Sequence, residues 1–238
     1  MTNNPPSHDQ DPTQGYRGVL QRIREAEAAC GRETGSVELL AVSKTRSAQE
    51  IRTLAELGQV QFGENYLQEA LGKIEELQAL KLCWHFIGRI QSNKTRPIAE
   101  HFDWVHSVAS LKHATRLNEQ RPETRTPLNV CLQVNTSGEA SKDGHEPEAL
   151  EELLPAYQAL ENLRIRGLMT IPAPLRPGDD PRQPFQQLSA LRDRLSTRSL
   201  PLETLSMGMS DDLEAAVCEG ATMVRIGTAI FGPRQYNK

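Results

Sequence analysis

Lys44 closes the run Leu39-Leu40-Ala41-Val42-Ser43-Lys44-Thr45. The run reads as a buried strand, so the lysine stem is anchored while its amine projects over the strand end. An amine held there, partly desolvated, sheds its proton near neutral pH and attacks aldehydes. The plain alternative is a lysine closing a strand in solvent. Two other places fit an anion beside it. Gly208-Met209-Ser210 opens into a helix starting Asp211-Asp212-Leu213-Glu214, where the Ser210 hydroxyl and N–H suit a phosphate. Ser210 is equally explained as a helix N-cap, and the two aspartates would repel a phosphate unless turned away. Gly227-Thr228 offers a glycine for close backbone approach and a hydroxyl donor.

Arg225 lies inside the apolar run Met223-Val224-Arg225-Ile226. A guanidinium is rarely buried without an acidic partner or a ligand. Facing a pyridine nitrogen it would keep that nitrogen unprotonated, because arginine does not give up its proton. A structural ion pair is the other reading. Asn65 follows the run ending Phe62-Gly63-Glu64, His85 lies in Cys83-Trp84-His85-Phe86-Ile87-Gly88, and Met169 stands near the end of another run. His85 fits a pocket wall or a core histidine bonded to a carbonyl. The basic stretch Arg89 to Arg96 fits an anion at a helix start or a solvated helix face.

These residues must be brought together by the elements that carry them. Apolar runs at 37–43, 60–63, 84–87, 104–107, 129–134, 165–171, 204–207 and 223–226 alternate with segments of helical period. Helices are expected at about 16–30, 47–57, 66–80, 92–101, 110–119, 146–160, 184–197 and 210–219. Strict alternation implies parallel strands joined by crossover helices. Eight such units point to a single closed (β/α)8 barrel over residues 16–238, with an open doubly wound sheet as the alternative. In a barrel every candidate above falls at the C-terminal mouth, and the last two strands are where barrels often hold phosphate. The Pro-rich stretch 172–184 is expected to be a loop on that face, and residues 1–15 a disordered lead-in.

Composition narrows the function classes. The chain has 238 residues, 27 basic against 31 acidic, and only 5% aromatic side chains. No basic cluster suits nucleic acid or an anionic membrane, and too few aromatics are present for a base-stacking platform. Apolar runs are strand-length, far short of a membrane span. Cys30, Cys83, Cys131 and Cys218 are scattered, which indicates neither a zinc site nor a disulfide framework. A cytoplasmic protein is expected.

Six motifs in order carry a resemblance: Ala41-Val42-Ser43-Lys44-Thr45, Phe62-Gly63-Glu64-Asn65-Tyr66, Trp84-His85-Phe86-Ile87-Gly88 with Gln91-Ser92-Asn93-Lys94, Gly167-Leu168-Met169, Leu205 through Asp211, and Val224 through Gly232. From about Val37 to Gly232 the chain resembles the YggS/PROSC pyridoxal phosphate homeostasis proteins. Arg89 departs from the family, whose bacterial members usually have proline there. The resemblance implies a barrel similar to the N-terminal domain of alanine racemases. It implies pyridoxal 5′-phosphate (PLP) joined to Lys44 as a Schiff base, with its phosphate against Ser210, Gly227 and Thr228. Arg225 would face the ring nitrogen, and Asn65, His85 and Met169 would lie near the cofactor.

The same resemblance implies a PLP carrier or buffer without established turnover, acting on PLP and other B6 vitamers. Apo PLP-dependent enzymes are the expected recipients, and a monomer or weak dimer the expected state. The competing reading is a fold-type III racemase or decarboxylase. Racemases add a β-domain and a partner's tyrosine, and no such segment is expected after residue 238. A PLP-responsive regulator is the third reading.

Overall fold

A computed structural model describes residues 11–138, 143–174 and 178–233. Eight parallel strands close into a barrel in the order β1 to β8, with β1 also paired to β8. The strands are β1 (Glu38–Val42), β2 (Gln61–Glu64), β3 (Cys83–Phe86), β4 (Trp104–Val108), β5 (Leu128–Gln133), β6 (Leu163–Met169), β7 (Thr204–Ser206) and β8 (Met223–Ile226). Each falls on one of the expected apolar runs, and closure excludes the open sheet.

The helices are α1 (Pro12–Ala29), α2 (Ala48–Glu56), α3 (Leu67–Glu76), α4 (Thr95–His101), α5 (Leu111–Gln120), α6 (Pro147–Gln158), α7 (Gln183–Leu195), α8 (Leu213–Cys218) and α9 (Thr228–Phe231). Short 3-10 turns, Gln78–Leu80 and Ser92–Lys94, follow α3 and precede α4. Pro97 sits within the first turn of α4, where its missing N–H costs no helix bond. The helices bury one face each against the outer surface of the barrel, whose strands are almost wholly buried.

Two expectations are corrected. The lead-in does not extend to residue 15, because α1 begins at Pro12, with Asp11 accepting from the Thr13 N–H. Proline in the first turn and an aspartate cap are helix-start signals that the polar composition hid. Gly15 then packs so closely on α9 that a Cβ would stand 2.2 Å from the Ile230 carbonyl oxygen. Residues 1–10 of the expected lead-in lie outside the described residues. The cysteines also differ from expectation: Cys30 and Cys218 form a disulfide, with Cα atoms 5.2 Å apart, while Cys83 and Cys131 are free thiols. The partners are 188 positions apart, so no spacing rule could pair them.

Among the described residues no helix is long and apolar enough to cross a membrane, and no group of three or more His, Cys, Asp or Glu side chains could hold a metal ion.

Candidate cofactor-binding site

Lys44 follows β1 at the barrel mouth, half-buried, and shares a small cavity of about 30 Å³ with Val42, Gly227 and Thr228. Its backbone is framed on both sides. Ser43, buried, donates its hydroxyl to Glu64 Oε1 at 2.6 Å. Lys73 of α3 reaches the same oxygen at 2.8 Å and the Ser43 carbonyl at 2.8 Å. Lys73 also pairs with Glu69 one turn away, and Glu69 accepts the Thr45 N–H at 2.6 Å. Thr45 has φ 63°, a left-handed conformation that a β-branched residue seldom adopts. The Glu69 bond therefore holds a costly turn just beyond the lysine.

Glu64 is fully buried with Oε2 unpartnered, and burial pushes its carboxyl up, opposed by Lys73. Asn65, next in sequence, keeps a buried side-chain oxygen with no hydrogen-bond partner among the described residues. A buried polar atom left open in this way marks a place for a ligand or water. The turn depends on Gly88, where a Cβ would sit 2.2 Å from the Asn65 carbonyl oxygen.

Ser210, in the loop after β7, lies against the first turn of α9, which Thr228 begins. The Ala229 N–H points at Ser210 Oγ at 3.4 Å, so the serine hydroxyl stands at the first turn of α9. Ser210 is not the cap of α8, whose N-cap is Asp212. Arg22 of α1 fixes the serine backbone, donating to its carbonyl at 3.0 Å while pairing with Glu214. Gly208 bends the loop at φ 92°, where a side chain would be strained and would meet Ala216 Cβ at 2.5 Å. Of the two aspartates, Asp212 is spent on the Met209 N–H.

Arg225 is 4% exposed. Its partners among the described residues are the Ser206 carbonyl, the Ser206 hydroxyl at 2.9 Å and the Thr170 carbonyl at 2.7 Å, none of them a carboxylate. Burial pulls its pKa down to about 10. Met169 is buried at the end of β6. His85 is buried too, bonded to His106 Nε2 at 2.9 Å and beside Cys83 Sγ at 3.3 Å, and it reaches Arg225 only through His106 and Ser206. Arg89 pairs with Asp143 at 3.2 Å on the surface.

Lys44, Gly227 and Thr228 are thus brought together, with Ser210 beside them. Sequence reasoning missed Lys73, Glu69, Arg22, His106 and Ser206 as supports. Glu69 and Lys73 carry a visible signal, an opposite-charge pair four apart on a helix. A larger opening, about 890 Å³, lies between the starts of α6 and α7, and its described lining includes none of the candidate residues named above.

The closed barrel of eight parallel strands, with a lysine at its mouth and a buried arginine on β8, is matched over residues 19–235 by the family model of the alanine racemase N-terminal domain. The fold is shared with alanine racemase from Corynebacterium glutamicum, at TM-score 0.62 and 17% identity, covering 93% of this chain and 62% of that one. The pyridoxal phosphate homeostasis protein of Pseudomonas aeruginosa is 61% identical over 218 residues, 92% of this chain and 94% of its own. PipY of Synechococcus elongatus PCC7942, solved with PLP bound, superposes at TM-score 0.76 and 41% identity, covering 88% of this chain and all of PipY. The chain belongs to the YggS/PROSC family of pyridoxal phosphate homeostasis proteins.

Proposed function

We propose that this chain binds PLP through a Schiff base with Lys44 and serves as a PLP carrier or buffer in the cytoplasm. The single observation that carries the reading is the shared cavity of Lys44, Gly227 and Thr228, which pairs an amine with an anion cup. PLP would supply an aldehyde for the Lys44 amine to condense with, releasing water, and Lys44, Ser210, Gly227 and Thr228 would hold it.

The protein's part is positional. The Ser43–Glu64–Lys73–Glu69 frame holds the backbone on either side of Lys44, which itself lines the cavity. Ser210 and Thr228 supply hydroxyls for a phosphate, and the glycine at 227 lets the backbone come near. Asn65, with its open oxygen, follows β2 at the mouth, and Met169 is buried at the end of β6. Arg225 presents N–H groups that cannot surrender a proton, so a ring nitrogen facing it stays an acceptor. That arrangement suits holding an aldehyde more than driving carbanion chemistry, for which a protonated ring is the better electron sink. Other B6 vitamers with the same phosphate would share the cup, apo PLP-dependent enzymes are the proposed recipients of the PLP, and the chain would act as a monomer or weak dimer.

Thermal unfolding with and without PLP tests the reading. Stabilisation of about 2.7 kcal/mol is expected at a hundredfold excess over the dissociation constant, if PLP binds only the folded state. Ser210→Ala should raise the PLP concentration needed for the same shift. A melting curve that ignores PLP in the unaltered chain would contradict the proposal.

A further inference from the structure

Arg225 is the start of a buried chain of polar side chains that crosses the barrel interior. Arg225 donates to Ser206 Oγ at 2.9 Å, and Ser206 Oγ stands 2.7 Å from His106 Nδ1. His106 Nε2 stands 2.9 Å from His85 Nδ1, and His85 Nε2 is 3.3 Å from Cys83 Sγ. The side chains come from β8, β7, β4 and β3 in turn. Ser206, His106 and His85 are 0% exposed. Nothing in the mouth needs so long a chain for packing alone, since apolar side chains would fill the space without polar atoms to satisfy.

Counting hydrogens fixes the direction of the chain. Guanidinium only donates, so Ser206 Oγ must accept from Arg225. Ser206 has one hydroxyl hydrogen, and His106 Nδ1 is its bonded acceptor among the described residues. With that hydrogen on Nδ1's lone pair, His106 carries its proton on Nε2 and gives it to His85 Nδ1. His85 then carries its proton on Nε2, facing the Cys83 sulfur. In the opposite direction both imidazoles would be protonated on Nδ1. Ser206 would then accept twice and leave its own buried hydroxyl hydrogen unmatched, at a cost of about 1–3 kcal/mol.

Electrostatics favours the same choice. In the first arrangement every acceptor lone pair in the chain points back toward Arg225, so four neutral groups solvate a cation that no carboxylate hydrogen-bonds among the described residues, Asp212 acting on it only from a distance. Reversing the chain would turn the positive ends of those dipoles toward the guanidinium. Both histidines must also stay neutral, and burial pushes each of them below the ordinary histidine value, with Arg225 adding to the effect on His106. Trp104 stacks on His85 at 5.4 Å between ring centroids and 10° between planes, which holds that ring in the orientation the chain requires.

We propose that His85 and His106 are positioning residues for Arg225: a neutral, one-way relay from Arg225 through Ser206 and His106 to His85 and Cys83 holds the guanidinium and offsets its charge. The role at the cofactor rests on the reading that Arg225 faces the PLP ring nitrogen; the relay itself does not. Its consequence is an arginine kept charged and aimed by neutral hydrogen-bond partners, with Asp212 adding a favourable charge without a hydrogen bond. A carboxylate in the same place would neutralise the guanidinium and weaken its hold on a ring acceptor. The relay is also a dead end for protons. Its first donor releases none, and its last group is a thiol that burial pushes up to about 12.

The test begins with the unaltered, unliganded protein labelled with nitrogen-15. Two-bond proton–nitrogen correlation at pH 7, with the rings assigned by His85→Gln and His106→Asn, reports which nitrogen of each imidazole is protonated. Nε2–H on both rings is expected. Nδ1–H on both, or an imidazolium on either, would overturn the relay. His106→Leu then removes the acceptor, whereas His106→Asn keeps an oxygen able to accept near the Nδ1 position. The leucine variant is expected to bind PLP about tenfold more weakly, the upper end of what one neutral hydrogen bond contributes, with a displaced absorption band. The asparagine variant should return within about threefold of the unaltered chain, with the band restored. Equal binding and an unmoved band in a folded leucine variant would refute the positioning role. The tautomer measurement stands whether or not that variant folds. Should the unaltered chain bind no PLP, the reading of the site fails separately, and the tautomers still decide the relay.

Discussion

Lys73 Nζ lies 2.8 Å from the carbonyl oxygen of Ser43, the residue just before Lys44. One lysine is thus buried in a frame of carboxylates so that another can stand in the mouth. Lys73 is only 6% exposed and shares its charge between Glu64 and Glu69.

Removing the buried cation should therefore damage more than one contact. Lys73→Met is expected to lose about 3–5 kcal/mol of unfolding free energy, because Glu64 would be left buried without its counter-charge. Glu69→Gln is the milder probe. It weakens the bond to the Thr45 N–H and should cost about 1.5 kcal/mol, with slower attachment of PLP to Lys44. Denaturant unfolding together with the time course of PLP uptake would check both. A Glu69→Gln variant with unchanged uptake would show that the turn after Lys44 holds itself.

The buried histidines give the protein an acid sensitivity of known sign. His85 and His106 have native pKa values depressed by burial, so below the unfolded value near 6.5 the unfolded chain binds protons that the native chain refuses. Stability should fall as the pH drops through 6.5 and continue downward toward the depressed native values. Between pH 7 and pH 5 the loss is about 2 kcal/mol for each histidine. Glu64 works in the opposite sense, since its raised native pKa favours the folded state as it takes up a proton. Comparing the pH dependence of unfolding in the unaltered chain and in His106→Asn cancels that contribution. Parallel curves would contradict a neutral His106.

The cysteine pairing is open to direct counting. Cys30 at the end of α1 and Cys218 at the end of α8 are joined, so unreduced protein unfolded in denaturant should show two reactive thiols, Cys83 and Cys131, and four after reduction. Cys30→Ser should lower stability by about 2–4 kcal/mol under non-reducing conditions and have little effect under reducing ones. Four thiols before reduction would show that the pair is not bonded in solution.

Much of the architecture was legible in the chain because alternating apolar runs and helical segments permit few arrangements. Even β7, three residues long, was marked by its apolar run. Helix α9 escaped notice because it has four residues and its start, Gly227-Thr228, reads as a turn. Strand-end position is what singles out Lys44 and Asn65 in the sequence, and the small-residue turn after β7 singles out Ser210. What stayed hidden were partners chosen by closure of the barrel. His106 and Ser206 are 100 positions apart and look like ordinary interior residues until β4 and β7 face each other. Lys73 reads as half of a surface ion pair until α3 presses it against the end of β1. Ser210 was weighed as a helix cap, but α8 starts later and Asp212 holds that position, leaving the hydroxyl at the first turn of α9.

The most direct measurement is borohydride reduction of the protein after incubation with PLP, followed by mass mapping of the modified peptide and the same treatment of Lys44→Ala. The account predicts a near-visible absorption band that disappears on reduction and a pyridoxyl group on Lys44, with neither in the alanine variant. A band of full strength in Lys44→Ala, or a pyridoxyl group mapped to another lysine with Lys44 unmodified, would contradict it.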